Sequence, residues 1–365
     1  MGKKVNKVIS VTKTYLPPLG GYTSYLKKIW ETSWVTNNGP LVQELENKLK
    51  QFLGVKYLFL VSNGTLGLQI AIKALNLSGE IITTPFSYVA TTSSIVWEGC
   101  KPVFVDIDPK TLCIDADKIE SAITKKTSAI LAVHVYGNPC NVNKIDKIAN
   151  KYKLKVIYDA AHAFGVKISG RSIADYGDVS VLSFHATKVF HTAEGGGIVI
   201  RDKKLAHKIW YMRNFGHKGH DLGFFGLGIN AKMSELHAAM GVADLPSVKK
   251  LIKTREEIYR QYERLLGKID LLKPQFNPHA TRNYGYYPVI FKSEKILLDV
   301  VNALNRREIF PRRYFYPALT KLPYIKGQSC PIAEDVSSRI LCLPLFHSLK
   351  ISDVKTISKL IREIF

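Results

Sequence analysis

Acidic residues and cysteine are scarce in this chain, and the cysteine usage removes whole classes of protein from consideration. Thirty Asp and Glu stand against 52 Lys and Arg in 365 residues, a formal net charge of +22. Five cysteines (Cys100, Cys113, Cys140, Cys330, Cys342) are odd in number, widely spaced and without a CxxC pair. A disulfide framework and a structural zinc site are therefore not expected, and no other metal site is read. No apolar run approaches the roughly 18 to 20 residues a membrane span needs, and the opening MGKKVNKVISVTKTYLPP lacks the apolar core of a signal peptide. A reduced, cytoplasmic protein with no membrane partner is expected. RNP sequence, zinc-finger spacing and a basic region followed by heptads are also missing. The lysines are spread over helical segments such as residues 144–155 and 249–253, which reads as a solvated face and not as a nucleic-acid site. Weak, strongly salt-dependent DNA binding would be the whole support for the opposite view. A small anionic substrate would also gain from the positive field.

What is present is ordinary globular material, 46% hydrophobic and 22% charged, long enough for about two to three domains' worth of core. Between residues 56 and 202, short apolar runs (YLFLVS, EIITTP, KPVFVDID, AILAVHVYG, KVIYDAA, VSVLSF, GGGIVIRD) alternate with helical stretches. Runs of four to six apolar residues fit strands buried on both faces, so the fold class is α/β with a mostly parallel sheet covered by helices. The division expected is an arm and first helix (residues 1–35), a large domain (36–246) and a small α+β domain (247–365). Within these, helices are expected at 24–33, 248–266, 296–307 and 351–364, and a strand at 284–291. Ligands of such sheets gather at the carboxyl ends of the strands.

Three strand ends carry chemistry. SNGT (residues 62–65) follows YLFLV and opens an apolar helix, so free N–H groups and the helix dipole would hold an anion at Gly64 and Thr65. An ordinary capped helix, with Ser62 or Asn63 as the cap, is the alternative reading and the one that this motif taken alone favours. Asp159 ends KVIY, where a carboxylate can pair with a protonated ring nitrogen, or can simply cap the next turn. His162 lies three residues on. SFHATKVF then offers Ser183, His185, Thr187 and Lys188. A lysine in a partly desolvated pocket loses its proton more readily and can form a Schiff base; in isolation it is an ordinary surface lysine. Phe86 or Tyr88 of TTPFSYVATT could stack on a ring or belong to the core. An anion cradle, a carboxylate and a lysine at three strand ends are together what pyridoxal 5'-phosphate requires.

With these motifs in order, the sequence resembles the DegT/DnrJ/EryC1/StrS group of sugar aminotransferases, which have the aspartate aminotransferase (type I) fold. TNNGP (36–40), SNGT, TTPFSYVATT (83–92), PVFVDID (102–108), HVYGNPC (134–140), YDAAHAFG (158–165), SFHATKVF (183–190), EGGG (194–197) and GINAKMSELHAAMG (228–241) carry the likeness over essentially the whole chain. The resemblance implies that Lys188 captures the cofactor's aldehyde and moves protons, that Asp159 meets the ring nitrogen and that Tyr88 stacks on the ring. It further implies that His162 approaches the ring's phenolic oxygen and that Gly64, Thr65 and Ser183 hold the phosphate. Asn230 is implied to reach the phosphate of a neighbouring subunit, hence a homodimer with shared sites. L-Glutamate is the implied donor, converting the cofactor to pyridoxamine 5'-phosphate, and a nucleotide-linked keto sugar the implied acceptor. TNNGP and RRYFYP (312–317) look most like enzymes that aminate C4 of dTDP-4-keto-6-deoxyglucose for surface polysaccharide synthesis. Members acting on C3, or on UDP- and GDP-sugars, share every cofactor motif. Thr36, Asn37, Asn38, His185, His217, His220, Tyr314 and Tyr316 are candidate substrate contacts, with loop stabilisation the alternative for each. A family dehydratase would carry histidine in place of Lys188, and a non-enzymatic regulatory member would have lost Lys188 or Asp159; both residues are present.

Overall fold

The computed structural model describes residues 8–219 and 222–365. Seven strands form its central sheet: β1 (Tyr57–Val61), β2 (Glu80–Thr83), β3 (Lys101–Phe104), β4 (Thr127–Val133), β5 (Lys155–Asp159), β6 (Val179–Ser183) and β7 (Gly196–Ile200). Their order is β1-β7-β6-β5-β4-β2-β3. Only the pairings of β7, with β1 and with β6, are antiparallel. The six parallel strands therefore end at the same edge, which sets the place of the site.

Side chains alternate along a strand, and here both sets are apolar. Ile130 and Ala132, Tyr158, Leu182 and Val199 pack into one core with helices α2 (Pro40–Leu53), α5 (Val142–Tyr152) and α7 (Glu235–Asp244). Their neighbours Ala129 and Leu131, Ile157, Val181 and Ile198 pack on the other face with α3 (Gly64–Ala74), α4 (Val89–Trp97) and α6 (Lys203–Met212). Each fully buried Ile, Leu or Val in these layers contributes roughly 1.5–3 kcal/mol. A separate core joins α8 (Val248–Leu266), α9 (Glu294–Asn305) and α11 (Ile351–Arg362) to the strand pair Tyr287–Ile290 and Ile340–Leu343. On α8 its buried residues Ile258, Tyr259, Tyr262 and Leu266 follow helical spacing. Phe315, Leu319, Ala333 and Val336 belong to the first core, so the C-terminal third also packs on the sheet layer.

Several boundaries differ from the expected ones. The first helix, α1, is Leu19–Thr32 and takes in Gly20 and Gly21, with Pro18 at its N-cap. N–H groups of a first turn have no helical acceptor, so the prolines before it remove nothing. The strand expected at 284–291 shrinks to Tyr287–Ile290, because Tyr284 is left-handed (φ 50°) and turns the chain. Residues 8–10 of the arm are partly ordered by a parallel pairing of Ile9–Ser10 with Ile309–Phe310. All five cysteines are free and buried. Among the described residues no helix is long and apolar enough to cross a membrane.

Candidate active site

The carboxyl ends of the parallel strands surround a cleft of about 590 Å³ whose walls include Gly64, Thr65, Tyr88, Asp159, His162, Ser183, His185 and Lys188. Backbone geometry explains how the anion cradle forms. Asn63 caps α3, its side chain accepting the Leu66 N–H at 2.9 Å, while Gly67 N–H reaches Asn63 O at 3.2 Å. The amides of Gly64 and Thr65 find no acceptor among the described residues. Cap and cradle are therefore the same structure. Gly196 of β7 crosses directly behind it: a Cβ there would lie 2.8 Å from the Gly64 nitrogen. Gly67 likewise has no room for a side chain, since its Cβ would sit 2.8 Å from Val181. These glycines let helix and sheet close onto the cradle.

Asp159 ends β5 and is 7% exposed. Its carboxylate accepts Thr91 Oγ1–H at 2.8 Å and Ala161 N–H at 3.1 Å. Burial raises its pKa, and these two hydrogen bonds and the Lys188 charge pull the other way. His162 accepts the Tyr136 N–H on Nδ1 at 3.2 Å, and burial followed by the nearby Lys188 charge holds its pKa well below the usual value. The ring is thus neutral, with its proton on Nε2. For Lys188, burial lowers the pKa to about 8 against the attraction of Asp159. Its Nζ donates to the Tyr286 hydroxyl at 3.4 Å. An amine so poised is largely protonated at pH 7 yet loses its proton far more readily than a surface lysine.

Of the two candidate aromatics, Phe86 is fully buried against Tyr136 and Phe315, whereas Tyr88 is 61% exposed and faces the cleft. His185 shares a hydrogen bond with Thr187 Oγ1 at 2.8 Å, and its Nε2 lies 3.5 Å from Glu194. Tyr314 lines the cleft; Tyr316 is turned outward, 52% exposed, under the Arg313 guanidinium.

The remaining candidates gather elsewhere on the chain. Asn38 and His217 line a small depression with Arg213, Asn214 and Lys232, with Thr36 and Asn37 beside it in sequence. Asn230 is exposed there and accepts from Lys232 Nζ at 2.7 Å. His220 lies outside the described residues. The TNNGP turn has a structural basis of its own. Glu235 of α7 accepts the Leu41 and Val42 N–H groups at 2.7 and 2.9 Å, and a Cβ on Gly39 would lie 2.6 Å from that carboxyl group. Gly39 makes room for a carboxylate at the positive end of α2.

Four residues of the site carried no individual signal in the sequence: Tyr286 and Arg312 in the cleft wall, and Thr91 and Tyr136 behind it as partners of Asp159 and His162. Thr91 was hidden inside a helix, Tyr286 inside an apparent strand, and Tyr136 and Arg312 inside longer motifs. For Arg312, the doubled arginine of RRYFYP was a usable hint: Arg313 is engaged by Glu294 and two backbone carbonyls, and Arg312 is exposed in the cleft wall.

Comparison with known proteins agrees with this geometry. Residues 22–362 match the model of the DegT/DnrJ/EryC1/StrS aminotransferase family. A dTDP-4-amino-4,6-dideoxy-D-glucose transaminase of Shigella dysenteriae is 45% identical over 99% of this chain and 100% of its own. One of Escherichia coli is 41% identical over 98% of each. Among solved structures, DesI in the presence of its TDP-sugar product superposes with a TM-score of 0.92 at 32% identity, covering 98% of this chain and 93% of that one. Full-length similarity at this level, together with the converging lysine, aspartate and anion cradle, gives the assignment: the chain belongs to the DegT/DnrJ/EryC1/StrS aminotransferase family.

Proposed function

We propose that this chain transfers the amino group of L-glutamate to C4 of dTDP-4-keto-6-deoxy-D-glucose, giving dTDP-4-amino-4,6-dideoxyglucose. The observation that carries the reading is the convergence of Lys188, Asp159 and the free Gly64 and Thr65 amides on one cleft, in a chain 45% identical to a transaminase of that name.

The residues present fit pyridoxal phosphate: two amide donors and the Ser183 hydroxyl suit a phosphate, and the buried Asp159 carboxylate makes no ion pair among the described residues. When bound, that group supplies an aldehyde for amines and a ring that accepts electrons from a breaking C–H bond. Gly64, Thr65 and Ser183 would hold its phosphate, Asp159 would pair with its ring nitrogen, and Tyr88 would cover a ring face. His162, neutral, would offer Nε2–H as a donor toward the ring's oxygen. Lys188 would anchor the group through its aldehyde, and its amine would take up and return the proton at the substrate carbon.

The working unit in this reading is a homodimer. The second cluster, Thr36 to Asn38 with His217 and Asn230, serves the cleft of the partner subunit, and Leu222, Phe224, Leu227 and Ile229 beside it are exposed apolar side chains suited to burial there. We also read the chain as an arm (residues 1–35), a large domain (36–246) and a small domain (247–365), and place it in the cytoplasm, where five buried free cysteines stay reduced.

A panel of dTDP-, UDP- and GDP-linked 4-keto and 3-keto sugars, each with glutamate, tests the substrate. The dTDP-4-keto-6-deoxy sugar is expected to exceed every other member by about 10- to 100-fold in kcat/KM, with the nitrogen found at C4 by NMR. Preference for another nucleotide, or nitrogen at C3, overturns the substrate; no amination of any sugar overturns the activity.

A further inference from the structure

The residue that accepts a hydrogen bond from the Lys188 amine lies 98 positions further along the chain, and its placement is built from several directions. Asn283 is 3% exposed and donates through Nδ2 to the carbonyls of His162 and Phe164 at 2.8 and 3.1 Å. Its Oδ1 accepts the Gly285 N–H at 3.1 Å. One side chain thus pins residues 283–285 to the loop that carries His162. The close fit extends to Gly137, where a Cβ would sit 3.0 Å from Asn283 Oδ1. The next residue, Tyr286, is then held between rings: His162 at 4.6 Å, Tyr136 at 5.5 Å and Tyr314 edge-on at 5.9 Å. Its hydroxyl meets Lys188 Nζ at 3.4 Å, the one hydrogen bond that either side chain makes among the described residues.

We infer that Tyr286 is a positioning residue for Lys188, its hydroxyl oxygen accepting one amine hydrogen so that the nitrogen lone pair is directed into the cleft. The inference rests on the reading of Lys188 as the working amine. Burial keeps the Tyr286 phenol protonated, since its pKa is raised above the usual value. It therefore acts as a neutral acceptor and does not compete for the proton that Lys188 moves. A neutral acceptor stabilises an ammonium more than an amine, so the phenol also holds the Lys188 pKa up against burial. The other charged or titratable groups around the same cleft are Tyr88, Asp159, His162, His185, Glu194, Arg312 and Tyr314, and Tyr136, Arg255 and Cys342 act on Tyr286 from the elements packed behind it.

The test is Tyr286→Phe, which keeps the ring among its neighbours and removes only the oxygen. In cofactor-free protein, competitive acetylation of Lys188 by acetic anhydride across pH, read by peptide mass spectrometry, gives its titration midpoint. The wild-type midpoint is expected at about 8. In Tyr286→Phe it is expected to fall by about 0.5 to 1 pH unit, with the melting temperature showing a folded protein. In the loaded enzyme kcat is expected to fall about tenfold or more with KM for both substrates held within about twofold. An unchanged midpoint with unchanged kcat overturns the inference. Should wild-type Lys188 itself titrate like a surface lysine, or fail to capture pyridoxal phosphate, it is the reading of Lys188 that falls and not the role of Tyr286 alone.

Discussion

Lys188→Ala protein, mixed with pyridoxal phosphate and reduced with borohydride, is expected to carry no added mass where wild type carries one cofactor per chain. Its turnover is expected to drop by about 10²- to 10⁴-fold or more, since both the covalent anchor and the proton carrier are lost. Stability should move the opposite way. Folding lowers the Lys188 pKa from 10.5 to about 8, so below pH 8 the folded chain holds a disfavoured charge that the unfolded chain solvates freely. Stability therefore rises with pH between about 8 and 10.5, where the unfolded state binds the extra proton. Removing the amine relieves that cost: cofactor-free Lys188→Ala should melt at or above wild type at pH 7, with the gap closing as pH approaches 10.5. A variant that retains turnover contradicts the role of Lys188. One that melts well below wild type at pH 7 contradicts the description of its environment.

Arg213→Ala is expected to cost about 3–5 kcal/mol of stability, measured by denaturant unfolding. Arg213 ends α6 and its side chain is 4% exposed, against 11% for that of Glu46 on α2. The guanidinium donates to the Glu46 carboxylate, to Leu60 O at 2.8 Å and to Asn38 Oδ1 at 3.0 Å, and Glu46 also accepts the Leu60 N–H at 2.9 Å. Deleting the arginine leaves a carboxylate buried beside β1 without its cation, which is where the large penalty arises. A paired replacement, Glu46→Leu with Arg213→Met, should recover much of the loss by removing both charges together. A loss below about 1 kcal/mol for Arg213→Ala would mean that the pair is solvated in solution. Because Asn38 is part of the same network, the single variant should also loosen the TNNGP turn and raise KM for the sugar before it affects kcat.

What could be read from the sequence was whatever depends on strand, turn and helix following one another. Asp159 and Ser183 end strands of the parallel set, and Gly64, Thr65 and Lys188 follow such strand ends within five residues, so local pattern was enough to bring them to one edge. α8 was legible to the residue for a similar reason, since apolar residues recur at helical spacing from Val248 to Leu266, interrupted at the buried positions only by Arg255. Tyr286 could not be found that way. Its position depends on Asn283 reaching residues more than a hundred positions earlier, a contact with no local signature. The split between the cleft and the Asn38–His217 cluster was hidden for the same cause: Arg213 joins loops 175 positions apart. The resemblance implied only Asn230 as a residue acting across subunits, while Asn38 and His217 were read simply as candidate substrate contacts; the single chain holds these two away from the Lys188 cleft.

The Lys188 segment is closed at its base by the pairing of Ser183 with Gly196. Within it, Phe184 N–H bonds Gly195 O at 2.8 Å and Thr192 N–H bonds Phe184 O at 2.9 Å. Phe184 and Phe190, both fully buried, meet edge to face at 5.0 Å, and Phe164 stacks on Phe190 at 4.7 Å. Functional loops usually belong to the parts of a protein that open first. This one should instead exchange its amide hydrogens as slowly as the central strands: deuterium is expected to enter Phe184 and Thr192 orders of magnitude later than residues 222–228. An amine carried on a segment that opened only with the sheet would have its timing set by the substrate's motion and not by its own.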